Sequence, residues 1–324
     1  MKPRQLFRVV FMGTPPFAVR TLEELHEAGY SVVGVVTAAD KPAGRGLQPR
    51  FSAVKQFAQK HNMALFQPTS LKEDSFIESL KALQADLFVV VAFRMLPEMV
   101  WRLPEHGTIN LHASLLPQYR GAAPINWAII NGEIKTGITT FLIDREIDTG
   151  KILMQEETHI ALSETAGELH DRLMEKGAAL VLKTVDAIRE GSIKLLDQKV
   201  LIPDYPALKK APKILKADCH INWSQDADAV FNRIRGLSPH PAAFTFLKSP
   251  DGTTFQMKIF SARPAKEFSP CEPGDIFVNS QNQVFVAVKD SSIELLEVQL
   301  AGRARMNTKN FLNGFKIDSG WKVE

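Results

Sequence analysis

Three short runs of β-branched and aromatic residues constrain this chain more than any other feature. LFRVVFM (6–12), SVVGVVT (31–37) and LFVVVA (87–92) are almost free of polar side chains. All three predict strands; one face in water would require apolar and polar residues to alternate, so the unbroken run LFVVVA predicts a strand buried on both faces. Helical patterns lie between the runs. Val19, Leu22 and Leu25 recur at helical spacing, and SFIESLKAL (75–83) reads the same way. Residues 165–190 predict a long amphipathic helix. Thr165 and Glu168 form a capping box, and Leu169, Leu173, Leu180, Thr184 and Ile188 trace one face. Strands alternating with helices predict an α/β domain with an open, largely parallel sheet. In such sheets the ligand crevice lies beyond the carboxyl ends of the strands.

A chain of 324 residues is too long for one average core, so two domains are expected. LIPDYPALKKAPKILKADCH (201–220) carries three prolines and four lysines and reads as a linker. Beyond it AAFTFL, FQMKIF, GDIFV, QVFVAV and SIELLEVQ follow at close intervals, which predicts a small sandwich or barrel. The expected division is 1–200, a linker at 201–216, and 217–324. With 45% hydrophobic and 23% charged residues, the composition is that of a soluble globular protein. No apolar run reaches membrane-spanning length, and MKPRQLFRVVFMG reads as a first strand instead of a signal peptide. Cys219 and Cys271 are the only cysteines. They make neither a disulfide framework nor a zinc spacing, so no metal is expected and a reducing cytoplasm suits the chain. Residues 206–324 hold 16 Lys and Arg against 12 Asp and Glu, whereas 1–205 hold 23 against 24. The basic surplus could meet a polyanion or merely solvate a face.

TINLHASLLPQYRGAAPINWAI (108–129) opens as a strand in which Asn110 and His112 share one face, opposite Ile109 and Leu111. Acyl transfer needs a group that titrates near neutrality, worth roughly 10²–10⁴ in rate, and a donor aimed at the developing oxyanion. An imidazole and an amide on one rigid strand supply both. No cysteine stands beside them, and Ser114 lacks a G-x-S-x-G elbow, which favours direct transfer to an external nucleophile. In FLIDREIDTGKIL (141–153) a strand runs into a turn with Asp148, Thr149 and Gly150. Asp-Thr-Gly is good turn chemistry, and the paired carboxylates of an aspartic protease would need a second copy. If this strand neighbours the first, Asp148 reaches the imidazole. TAADKPAGRGLQPRFSAVK (37–55) brings Lys41, Arg45 and Arg50 into a Gly-rich loop without a G-x-G-x-x-G fingerprint. It suits a phosphate-rich substrate, or is a plain surface loop. Near the end, Arg303, Arg305 and Lys309 stand close to Phe311 and Phe315. Basic residues with aromatics can hold nucleic acid, but a four-residue spacing also predicts a helix packed on a core.

Six stretches together resemble the methionyl-tRNA formyltransferase family of folate-dependent formyltransferases, over almost the whole chain. They are FMGTPPFAV (11–19), DKPAGRG (40–46), NLHASLLPQYRGAAPINWAI (110–129), IDTG (147–150), RGLSPHPAAFTF (235–246) and QLAGRARM (299–306). The resemblance implies a Rossmann-like, mostly parallel N-terminal domain followed by a small OB-like β-barrel. It implies formyl transfer from 10-formyltetrahydrofolate to the amino group of methionyl initiator tRNA, through a tetrahedral intermediate. The catalytic trio falls on Asn110, His112 and Asp148. The folate site falls on Phe93, Arg94, Met95, Leu96, Pro97, Ser114, Leu115, Leu116, Pro117, Ile143 and Asp144. Contacts to tRNA fall on Lys41, Arg45, Arg50, Lys209, Lys210, Arg303 and Arg305. The implied protein is a cytoplasmic monomer whose partners are charged initiator tRNA and the folate donor, with no membrane. Members of the family often carry Ala-Tyr-Gly where this chain has Ala92-Phe93-Arg94, and Trp where it has His240. Related acceptors are an amino-sugar nucleotide, glycinamide ribonucleotide or water. A non-catalytic RNA-binding relative is the alternative from another class, and it would not require the complete trio.

Overall fold

The structure is a computed structural model that describes residues 2–43, 48–202, 207–265 and 272–324, with only the backbone described at 41–43 and 48–50. Seven strands form the first sheet: β1 (Arg8–Gly13), β2 (Ser31–Val36), β3 (Leu65–Phe66), β4 (Leu87–Val91), β5 (Thr108–His112), β6 (Lys135–Leu142) and β7 (Ile152–His159). Their order is β7-β6-β5-β4-β1-β2-β3. From β3 to β5 all neighbours are parallel, and β6 joins β5 antiparallel. The strands predicted from continuous apolar runs hold the centre. In β1 every residue after Arg8 is buried, and β4 is buried throughout. Alternation sorts their side chains by face. Val10, Met12, Phe88 and Val90 pack with Phe76, Ile77 and Leu80 of the helix Asp74–Ala82.

The strand order reverses between β1 and β4, the point beyond whose carboxyl ends open α/β sheets bind their ligands. Residues 92–97 leave β4 at that point, and His112 ends the adjacent β5. The long helix runs from Ala166 to Glu190. Its capping box is formed as the sequence predicts: the Glu168 carboxylate accepts from Thr165 N at 2.8 Å, and Thr165 Oγ1 accepts from Glu168 N at 3.3 Å. Every residue of the predicted apolar stripe is buried.

The chain divides into two compact units. The first comprises 1–121, 137–158 and 170–210; the second comprises 122–136, 159–169 and 211–324. The second unit thus recruits two segments from the earlier two-thirds of the chain. Its helix Pro124–Ile130 packs on the helix Ala227–Leu237, which Asp226 caps by accepting from Ala229 N at 2.8 Å. Its sheet is built from β8 (Ala243–Lys248), β9 (Thr254–Ala265), β10 (Ile276–Val278), β11 (Val284–Ala287), β12 (Ser292–Leu300) and β13 (Lys322–Val323), in the order β10-β11-β12-β9-β8-β13. The paired neighbours run antiparallel, and register shifts near Ser261 bend the long β9. The two ends of the path then meet. Asp275 bridges Lys322, and Val323 N donates to Gly274 O at 2.8 Å. Gly274 has φ +94°, and a Cβ there would stand 2.6 Å from Val323 O, so the closure needs glycine. Of the sandwich and barrel left open by the sequence, the chain forms a nearly closed barrel.

Candidate active site

Strand β5 carries Asn110 and His112 on one face, as alternation requires. Asn110 lies between Val90 of β4 and Phe141 of β6. It is half-buried, and its side-chain amide has no hydrogen-bond partner among the described residues, so the donor is free for a ligand. His112 is buried, with its ring edge toward Phe141. Its Nε2 lies 2.8 Å from Tyr119 O. A carbonyl can only accept, so Nε2 carries the hydrogen, which leaves Nδ1 as the nitrogen without that bond. Nδ1 faces Asp148 Oδ2 at 3.7 Å, beyond hydrogen-bond length but within strong electrostatic reach.

Asp148 reaches this place because β6 runs beside β5. The turn that follows begins with Ile143 N donating to Thr108 O at 2.8 Å. Asp144 Oδ1 accepts from Thr149 Oγ1 at 2.7 Å and from Glu146 N at 3.1 Å, which closes the turn on itself. Asp148 sits at φ +56°, a left-handed conformation that aspartate tolerates better than most residues. A Cβ on Gly150 would stand 1.7 Å from Leu142 O, so only glycine lets the chain return this closely. The Asp148 carboxylate is oriented by Gly121 N, which donates to Oδ2 at 2.9 Å. Two further side chains hold the backbone. Gln198 Nε2 donates to Asp148 O at 2.9 Å and to Gly150 O at 2.8 Å, and Gln198 Oε1 accepts from Arg120 Nε at 3.1 Å and Nη2 at 2.6 Å. Sequence reasoning missed both. Arg120 lies inside the quoted motif, but Gln198 carries no pattern of its own.

The residues expected at the folate site divide by environment. Phe93 and Ile143 are half-buried against the same apolar cluster as buried Leu96, beside Met12 and Val90. Arg94 lies over the Phe93 ring and donates to Pro68 O at 2.5 Å and Thr69 O at 3.0 Å. Met95 is 74% exposed, and Pro97 precedes the short helix Glu98–Trp101. Ser114, Leu116 and Pro117 are turned inward. Ser114 is fully buried and donates to Gln118 O at 2.6 Å, and Leu116 packs with Phe141 and Ile152. Leu115 is half-buried, whereas Asp144 is exposed.

Arg45 lies outside the described residues, as do the side chains of Lys41 and Arg50. The backbones of Lys41 and Arg50 lie on two short antiparallel strands, Lys41–Ala43 and Gln48–Arg50, and pair with each other. Lys209 and Lys210 are exposed, and the Lys209 backbone is tied to Gln118 Oε1 and Tyr119 N at 2.8 Å each. In the second unit Arg305 is exposed, bonded to Glu297 at 2.5 Å and placed over the Phe260 ring. Arg303 is exposed, with Nη1 3.4 Å from Gly314 O. Phe311 is buried in the barrel core and stacks on Phe315, the packed-helix outcome of their spacing. Among the described residues no cluster of three or more His, Cys, Asp or Glu could hold a metal ion.

Comparison with known proteins bears on both units. The formyl transferase family matches residues 7–185, and the formyl transferase C-terminal domain matches 213–316. A methionyl-tRNA formyltransferase of Parabacteroides distasonis is 51% identical, with 98% of each chain covered. One from Bacteroides fragilis is 48% identical over 100% of this chain and 99% of its own. Among solved structures, HypX from Aquifex aeolicus, crystallised with tetrahydrofolic acid, shares the fold at TM-score 0.63 and 18% identity; the match covers 96% of this chain and 48% of HypX.

Proposed function

Because this chain belongs to the formyl transferase family and matches its methionyl-tRNA formyltransferases from end to end, we propose that it formylates the free amino group of methionyl initiator tRNA, with 10-formyltetrahydrofolate as donor. The observation that carries the chemical reading is the unpaired Asn110 amide one turn of the pleat from the His112–Asp148 pair, at the carboxyl end of β5. The donor brings a one-carbon unit already activated on nitrogen. Phe93, Leu96 and Ile143 offer its flat ring system an apolar wall at the strand-order reversal.

The acceptor amine must be neutral to attack. Free α-amino groups titrate near ~8, so a usable fraction is neutral at pH 7. As the new carbon–nitrogen bond forms, negative charge moves onto the formyl oxygen. Asn110 donates to that oxygen, in the role of a preorganised oxyanion donor. His112 exchanges protons through Nδ1, because Tyr119 O engages Nε2. Asp148 stabilises the imidazolium and is itself held by Gly121 N. The carbon–nitrogen bond to the donor then breaks, and the proton lost by the amine reaches the departing donor nitrogen. Lys41, Arg45, Arg50, Lys209, Lys210, Arg303 and Arg305 are assigned to tRNA. Among the described residues no helix is long and apolar enough to cross a membrane. A cytoplasmic monomer is the state assigned on family likeness.

One assay tests the reading. Donor labelled in its formyl group is offered with charged initiator tRNA, with an amino-sugar nucleotide, with glycinamide ribonucleotide and with water alone. Label on methionyl-tRNA is expected. Label delivered only to a nucleotide, or released as formate, overturns it.

A further inference from the structure

Gln198 is 1% exposed, and its amide uses every hydrogen-bonding valence it has. Both N–H bonds go to carbonyls of the active-site turn, Asp148 O at 2.9 Å and Gly150 O at 2.8 Å. Both lone pairs of Oε1 go to one guanidinium, Arg120 Nε at 3.1 Å and Nη2 at 2.6 Å. The chemistry fixes the amide's orientation: carbonyls only accept and a guanidinium only donates, so a flipped amide would lose all four bonds. Arg120 stands between two residues that touch the site. Tyr119 O takes the His112 Nε2 hydrogen, and Gly121 N donates to Asp148 Oδ2. Gln198 therefore joins the backbone that carries Asp148 to the bend that orients His112. The Asp148 backbone is in a left-handed conformation, which is kept only where its surroundings impose it.

We propose that Gln198, braced by Arg120, is a positioning residue for formyl transfer: it pins the Asp148–Gly150 turn so that the carboxylate stays facing His112 Nδ1. Gln198 touches no substrate and moves no proton. The inference rests on the catalytic reading of Asp148 given above and extends it to a residue fifty positions away in the chain.

The discriminating variant is Gln198→Glu. It keeps the side chain's size and its pairing with Arg120, but sets acceptor atoms against the two turn carbonyls. Steady-state and single-turnover formylation are measured on the full chain with charged initiator tRNA. Expected is a fall in kcat of about 10- to 100-fold, the scale of a small misplacement of a catalytic group, with KM for both substrates within about twofold of wild type. Gln198→Asn, an amide too short to reach both carbonyls, should recover part of the loss if the donors matter. The same change is then made in an Asp148→Asn background. There Gln198→Glu should cost almost nothing further, because the group it positions is already disabled. A wild-type kcat in Gln198→Glu overturns the proposal, and so does an equal loss with Asp148 intact or replaced. If Gln198→Glu does not fold, the Gln198→Asn arm of the same cycle decides by the same criterion. Failure of the underlying function would look different: wild-type protein would then transfer no label to methionyl-tRNA.

Discussion

At the scale of single residues, the site depends on which polar groups are left unpaired. Ser114 is spent on Gln118 O, and Asp144 on Thr149 and Glu146. The Asn110 amide has no such commitment among the described residues, although it is half-buried in the middle of a sheet. An amide left without a partner while partly withdrawn from water carries a desolvation cost, and the oxyanion role proposed above gives it a partner in the complex. Asn110→Ala should then reduce kcat by about 10²–10³, the usual cost of removing one oxyanion donor, while stability and both KM values change little. Kinetics and thermal melting on the same preparation check this; a variant that melts much earlier but turns over normally would contradict it. Asn110 and His112 were legible as a pair because a strand's two-residue period puts them on one face. The hydrogen on Nε2 was not legible, since it follows from Tyr119 O, seven residues away across a bend.

Among the elements, the long helix shows what the sequence could and could not announce. Its capping box and buried stripe follow from local spacing, and both formed as expected. Its tether to the rest of the first unit does not. Asp186 accepts from Arg4 Nη2 at 2.5 Å and from the Tyr30 hydroxyl at 2.7 Å, contacts that join positions more than 150 residues apart. Burial pushes the Tyr30 phenol up, and the bond to Asp186 adds to it, to about 12. In the unfolded chain the phenol titrates near ~10. The folded state therefore holds this proton more tightly. Its contribution is complete below pH 10 and is lost as pH rises toward 12, on the order of 2 kcal/mol across that window. Tyr30→Phe keeps the ring edge against Phe7 and removes the titration. The variant's melting temperature should fall less steeply than wild type between pH 10 and 12; parallel slopes would refute the assignment. The same limit of local reading hid Gln198. A lone glutamine at the start of a four-residue helix has no periodicity to betray it, whereas a central strand such as LFVVV declares its burial in five consecutive letters. The antiparallel turn of β6 at the sheet's margin was hidden too, because pairing direction leaves no mark on composition.

For the whole molecule, the two proposed substrates differ most in charge, and the chain's own charge is unevenly distributed. Residues 1–205 are close to neutral, while 206–324 carry a surplus of four positive charges. Much of the surface charge is internally countered: Arg305 meets Glu297, and Lys248 meets Glu324 at 2.6 Å. Lys209 and Lys210 are exposed on the segment that leads from the first unit to the second. A tRNA brings a phosphate at every nucleotide, and each one neutralised releases counterion on binding. A folate brings carboxylates on a single small tail and relies on an apolar wall. Salt should therefore separate the two. Three or more neutralised phosphates would give a log–log slope for tRNA affinity of about −2 or steeper, so KM for charged tRNA should rise sharply with added salt. KM for the donor should stay nearly flat over the same range, because burial of its rings is indifferent to ionic screening. Replacing Lys209 and Lys210 together by Gln should make the tRNA slope shallower by about one to two and leave the donor line where it was. Equal slopes for both substrates, or a tRNA slope untouched by the double substitution, would mean that the basic surplus only solvates the surface and that shape alone selects the acceptor.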